Sequence, residues 1–173
     1  MMNRRNFLFT APAAAGVGLS TEELFTARAT AQNSTPIHTE ANFMVFSAEE
    51  IEAGIKALQA SPGSKNLYND KNFAIDLTVE KNTGAMEFEW HEHRDHVIHV
   101  LEGETEYELG GTPEGAHSPR DGEGLAPSSV GAMKVTLKKG AILIIRRGTP
   151  HRRTTPHSVT FTLTGPMSSP VTG

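Results

Sequence analysis

Four of the eight histidines in this chain fall inside one nine-residue window, at His91, His93, His96 and His99. Near neutral pH an imidazole can move protons or hold a transition metal. On a strand, His91 and His93 leave the same face, two residues apart, and can close on one small object. Glu87 and Glu89 share that parity, so Glu89 is placed to serve as a general base beside whatever the histidines hold. A second segment, Gly140 to His151, reads G-A-I-L-I-I-R-R-G-T-P-H. Its apolar run ends in a Gly-Thr-Pro turn and presents His151 immediately afterwards. Alternation beyond that point turns Arg153 inward, where a guanidinium fork beside a cation would suit a carboxylate or another small anion. The chain contains no cysteine, so thiol catalysis and disulfide bonds are excluded and ligation must use nitrogen and oxygen.

Together the two segments resemble the paired signatures of the cupin family. The first signature runs glycine, His-x-His, a third ligand and a V-L-x-G close; here it spans Gly84 to Gly103 and ends in V-L-E-G. The second is matched by Gly140, Gly148 and His151. By this register the position usually held by glutamate is His96, with Asp95 one residue before it as the rival third ligand. His99 takes the usual aromatic position, and Arg146-Arg147 stand where a proline is usual. The resemblance covers roughly residues 70 to 165. It implies a metal held by His91, His93, His96 and His151, in an all-β, cupin-type double-stranded β-helix (a jelly-roll barrel) with one N-terminal helix. An all-nitrogen set suits Fe(II), Zn, Ni or Cu better than Mg or Ca.

The elements that must position these residues are visible in the hydrophobic period. Ser47-Ala48-Glu49-Glu50 is a capping-box pattern, and Ala48, Ile51, Ile55 and Leu58 follow at helical spacing, which predicts a packing helix over 47–62. From Lys71 the period becomes two. Phe73, Ile75, Leu77 and Val79 alternate with polar residues, as do Tyr107 and Leu109, Val135 and Leu137, and Phe161 and Leu163. Short strands separated by Gly, Asn and Pro turns indicate a sandwich or barrel, here over 63–173. Residues 112–130 are rich in Pro, Gly and Ser and read as one long loop near the barrel mouth, carrying His117. Parity puts Met86, Phe88 and Trp90 on the outer face, where the helix or a second subunit would cover them; a homodimer is the expectation.

Residues 1–31 read as an export signal, followed by a linker over 32–46. Arg4-Arg5-Asn6-Phe7-Leu8 resembles the twin-arginine motif R-R-x-F-L, which implies a periplasmic protein exported already folded. A metal loaded before export escapes competition from copper and zinc outside, which favours Fe(II) or Mn(II), with Zn(II) the close alternative.

The net charge of −4 and the 6% aromatic content argue against a nucleic-acid partner. No run of about 18 apolar residues is present to span a bilayer. The expected function is a metal-dependent enzyme of oxygenase, isomerase or lyase type, acting on a small, anionic organic substrate. The alternative is a non-catalytic periplasmic binder of a sugar or small acid.

Overall fold

The computed structural model describes residues 43–167. The export motif and most of the linker lie outside the described residues. The chain divides into a unit ending at Phe46, of which four residues are described, and a second unit beginning at Ser47.

Helix α1 (Ala48–Ala60) opens the second unit. Ser47 Oγ accepts from the Glu50 N–H at 3.2 Å, and Glu50 Oε2 accepts from the Ser47 N–H at 2.8 Å. The reciprocal pair satisfies two first-turn donors and contributes about 1 kcal/mol. Gly54 is the helix's buried residue, and a Cβ there would stand 3.1 Å from Leu77 Cδ2. α1 therefore lies close on β1 (Gly63–Asn69) and β2 (Phe73–Thr83).

Nine further strands complete the fold: β3 (Phe88–His91), β4 (His96–Leu109), β5 (Thr112–Glu114), β6 (His117–Arg120), β7 (Glu123–Ala126), β8 (Ser128–Val130), β9 (Met133–Lys138), β10 (Ile142–Ile145) and β11 (His151–Pro166). Every ladder is antiparallel. β4 and β11 are long enough to run through both halves of the barrel, paired with each other from Thr164↔Val97 to His151↔Leu109. One half adds β2 and β1 beside β11, and β10 beside β4; the other adds β3, β7 and β6 beside β11, and β9 beside β4. The β4–β11 ladder shifts register between Thr154 and Val159. There Gly103 has φ +76°, and a Cβ would sit 2.1 Å from the Ser158 carbonyl oxygen, so only glycine lets the strands bend past each other.

The lumen is filled by Ile98, Val100, Tyr107, Leu137, Ile145, Val159 and Phe161, all at most 6% exposed. Pairing fixes which face of β2 joins them. Phe161 lies opposite Thr78 and Val159 opposite Glu80, so Asp76, Thr78 and Glu80 face inward. The apolar set Leu77 and Val79 faces outward and is buried on the side covered by α1.

Two sequence expectations need correction. Residues 112–130 are not one irregular loop but four strands of three or four residues, too short for a period of two to register in the sequence. The outer face of β3 is not the face that α1 covers, since α1 lies on β1 and β2. Phe88 is 1% exposed with the Arg152 guanidinium 4.5 Å from its ring centroid. Trp90 packs over Gly124 of β7, where a Cβ would fall 1.9 Å from the indole. The 112–130 segment covers Trp90 and β11 covers Phe88, while Met86 stays 79% exposed.

Candidate metal centre

Three strand termini converge inside one end of the barrel. β3 ends with His91, β4 begins with His96, and β11 begins with His151. The ladders bring them together: His151 is in register with Glu89, and His96 with Ile145 at the end of the apolar run. Ring centroids are 4.8 Å apart for His91–His96, 5.2 Å for His96–His151 and 5.6 Å for His91–His151. Their ligand nitrogens lie within 4.8 Å of one another, and all three residues are buried. These three histidines can hold a metal ion.

Their hydrogen bonds aim the free lone pairs. His151 Nδ1 donates to the Thr149 carbonyl at 2.9 Å, which leaves Nε2 as a bare acceptor, buried and without a hydrogen-bond partner. His91 Nδ1 bonds to Glu123 Oε2, and its Nε2 lies 3.3 Å from Arg94 Nη2. A carboxylate or carbonyl behind each ring is the arrangement that orients a metal-binding imidazole. Burial, then the proximity of His151 and His91, lowers the pKa of His96 to about 3. Burial also lowers His151, against the opposing pull of its Thr149 bond and of Glu89. Both rings are therefore neutral at pH 7, the form that ligates. Glu123 is held below the usual carboxylate range: burial works to raise it, but His91, Arg94 and Arg120 outweigh that.

Glu89 borders the cluster on the open side. It is half exposed, with Oε1 3.6 Å from His151 Nε2 and Oε2 4.0 Å from His91 Nε2. A cavity of about 450 Å³ opens beside it, lined at the inner end by Glu89, His91, Arg94 and His96. Arg94 places Nη2 3.0 Å from Nδ1 and 3.3 Å from Nε2 of His91, and 3.4 Å from Glu123 Oε1. With Nδ1 turned to Glu123, the ring keeps one lone pair, on Nε2, and Arg94 Nη2 is a donor beside it.

The remaining sequence-derived residues lie elsewhere. His93 does not join the cluster: β3 stops at His91, so the two-residue parity no longer applies, and the His93 ring rests against Gly122, where a Cβ would stand 2.5 Å from its Cδ2. Asp95 is turned to the rim, accepting from the Arg147 N–H at 2.7 Å with Arg146 Nε 3.8 Å away. His99 and His117 are exposed. Arg153 does face inward, as alternation requires, but its guanidinium is engaged by both oxygens of Glu80 and donates to Tyr107 Oη at 2.8 Å. Thr155 Oγ1 donates to the same carboxylate at 2.9 Å. This network closes on itself, leaving no fork free for an anion. Sequence reasoning missed Glu123, which lies 32 residues from His91 in a segment without periodicity. Nothing in the spacing could have found it.

No family model matches the chain, and no curated protein matches it. Solved structures do. A Klebsiella pneumoniae protein described as an uncharacterized conserved protein with a double-stranded β-helix domain is 16% identical, with a TM-score of 0.52 over 78% of this chain and 93% of its own. A Bacillus halodurans protein is 15% identical, with a TM-score of 0.50 over 78% of this chain and 89% of its own. The fold is the cupin-type double-stranded β-helix. A Shewanella frigidimarina cupin-2 domain containing protein is also similar, at 16% identity and a TM-score of 0.42 over 60% of this chain and 79% of its own. At these identities the likeness shows the cupin fold, and a function has to be argued from the site.

Proposed function

We propose that this cupin is an exported, metal-dependent enzyme acting on a small, anionic organic substrate by oxygenase, isomerase or lyase chemistry. The observation that carries the reading is the buried Nε2 of His151, without a hydrogen-bond partner, beside the rings of His91 and His96. A buried acceptor left unsatisfied costs roughly 1–3 kcal/mol, which a cation at the centre of the three rings would remove. His91, His96 and His151 supply nitrogen donors, and Glu89 stands at a spacing from two of them that suits a fourth. Three nitrogens and one carboxylate favour Fe(II) or Mn(II), with Zn(II) close behind. Such a metal supplies Lewis acidity, polarising a substrate oxygen or a bound water.

The chain's own groups do the rest. Glu123 holds the His91 tautomer, the Thr149 carbonyl holds that of His151, and Phe161 and Tyr107 keep water from the inner side. Glu89, half exposed at the cavity, is the group placed to exchange a proton with a bound molecule. Export by the twin-arginine route rests on Arg4-Arg5-Asn6-Phe7-Leu8. A homodimer rests on Ile142 and Ile144, 63% and 62% exposed on β10, a strand that among the described residues pairs with β4 alone.

The test is elemental analysis of protein purified without an affinity metal, then turnover assays on a panel of small organic acids with and without dioxygen. Failure to retain Fe, Mn or Zn after loading and desalting would overturn the metal reading. Tight metal with ligand binding but no turnover would leave a non-catalytic binder. Fractionation of cells expressing the Arg4→Lys/Arg5→Lys chain should show loss from the periplasm.

A further inference from the structure

The cavity beside the histidines has different character at its two ends. At the inner end Arg94 is only partly neutralised. Glu123 commits Oε2 to His91, while its Oε1 is shared at 3.4 Å by Arg94 and at 3.5 Å by Arg120. Arg94 Nε is buried with no hydrogen-bond partner, and no hydrogen bond involves Nη1 among the described residues. One carboxylate oxygen facing two guanidinium groups leaves positive charge over on Arg94, whose side chain is 33% exposed. The outer end differs: Asp70 lines it beside Lys71, and Asp76 reaches the same cavity from the inward face of β2. The N–H groups of Phe73 and Asn72 hold the Asp70 carboxylate below the usual range, so it stays ionised. Phe73, Leu163 and Met167 supply the apolar part of the same lining, Met167 pairing directly with Arg94.

We infer that the cavity takes a small monocarboxylic acid with an apolar body, its carboxylate on Arg94 beside the histidine cluster and its tail along Phe73, Leu163 and Met167. A carboxylate fits a guanidinium fork with donors to spare, and a cavity of this volume holds a molecule of modest size. A second carboxylate at the far end of the ligand would meet Asp70 and Asp76, so dicarboxylates are disfavoured. The inference rests on the metal reading, because the charge of Glu89 must be taken up by the ion for the inner end to attract an anion.

Isothermal titration calorimetry on the Zn(II)-loaded full chain tests it, with metal content measured on each sample. Hexanoate should bind at least tenfold more tightly than hexan-1-ol or adipate. Arg94→Met should weaken hexanoate at least tenfold per metal-loaded chain, and Arg94→Lys should recover only part of the loss, since an ammonium lacks the fork. Equal binding of hexanol and hexanoate, or full hexanoate affinity in Arg94→Met, overturns the inference while leaving the metal reading intact. A chain that takes up no zinc fails the metal reading instead, and is recognised by its metal content before any ligand is added. Should Arg94→Met fail to fold, the comparison of the three ligands on the unaltered chain decides alone.

Discussion

His151 has the least ambiguous chemistry in the site: one ring nitrogen is fixed on a carbonyl and the other is buried and bare. Replacing it by Ala should drop bound metal from about one per chain to a small fraction, measured by mass spectrometry, because three donors become two. His93→Ala should leave the stoichiometry unchanged, since His93 packs on Gly122 instead. Glu123 is subtler. Glu123→Gln keeps a hydrogen-bonding group behind His91 but removes the charge, and Glu123→Ala removes both. Metal affinity, read by chelator competition, should fall by about 10-fold in the first and toward 100-fold in the second. Acid acts on the same rings. In the metal-free protein His96 has a folded pKa of about 3, well below its unfolded value near 6.5. Above pH 6.5 both states are neutral there; between 6.5 and about 3 the unfolded chain takes up a proton that the folded chain refuses. Urea unfolding should therefore show stability falling as pH drops through that window, by up to about 1.4 kcal/mol per pH unit from this group. A metal-free protein equally stable at pH 4 and pH 7 would contradict the burial described for this ring.

At the scale of elements, the 112–130 insertion behaves as part of the site rather than as decoration. β7 carries Glu123 to His91 and seats Gly124 under Trp90. Gly124→Ala should force the indole aside, at roughly 1–3 kcal/mol by denaturant unfolding, and should weaken metal binding in step because Glu123 moves with the strand. Loss of stability without loss of metal would separate the two. The pairing of β2 with β11 makes a different prediction. Arg153 and Glu80 face each other inside the barrel, and Arg153→Met leaves the carboxylate buried and uncompensated. The expected cost is roughly 3–5 kcal/mol, seen in the unfolding midpoint, with metal stoichiometry unchanged in the folded fraction.

At the scale of the molecule, β10 is one of several edge strands among the described residues, with β1, β6 and β9. Ile142 and Ile144 project from the outer face of β10, exposed, while Leu143 and Ile145 turn toward the core. If a second copy covers this strip, sedimentation should show a dimer that Ile142→Glu/Ile144→Glu converts to a monomer with its metal content retained. A monomer in the unaltered chain would remove the dimer from the reading. The net charge of −4 gives no steering field for nucleic acid, in agreement with a site that is small, internal and built for a compact ligand.

Much of this was legible in order along the chain. The capping box placed the helix start, and the period of two placed the long strands. His96 opens β4 with Ile98 and Val100 turned into the core, because once one residue of a strand is oriented the rest follow. Sequence also determined that the donors would be nitrogen and oxygen. What periodicity cannot specify is where a strand ends and which layer covers each face. β3 stops at His91, so His93 falls away from the rings it should have joined. β2 turns its apolar side to the helix, so Glu80 enters the lumen and captures Arg153. Glu123 reaches His91 across 32 residues. Each outcome depends on a pairing between distant segments, and an alternation pattern reads the same whichever face another element buries.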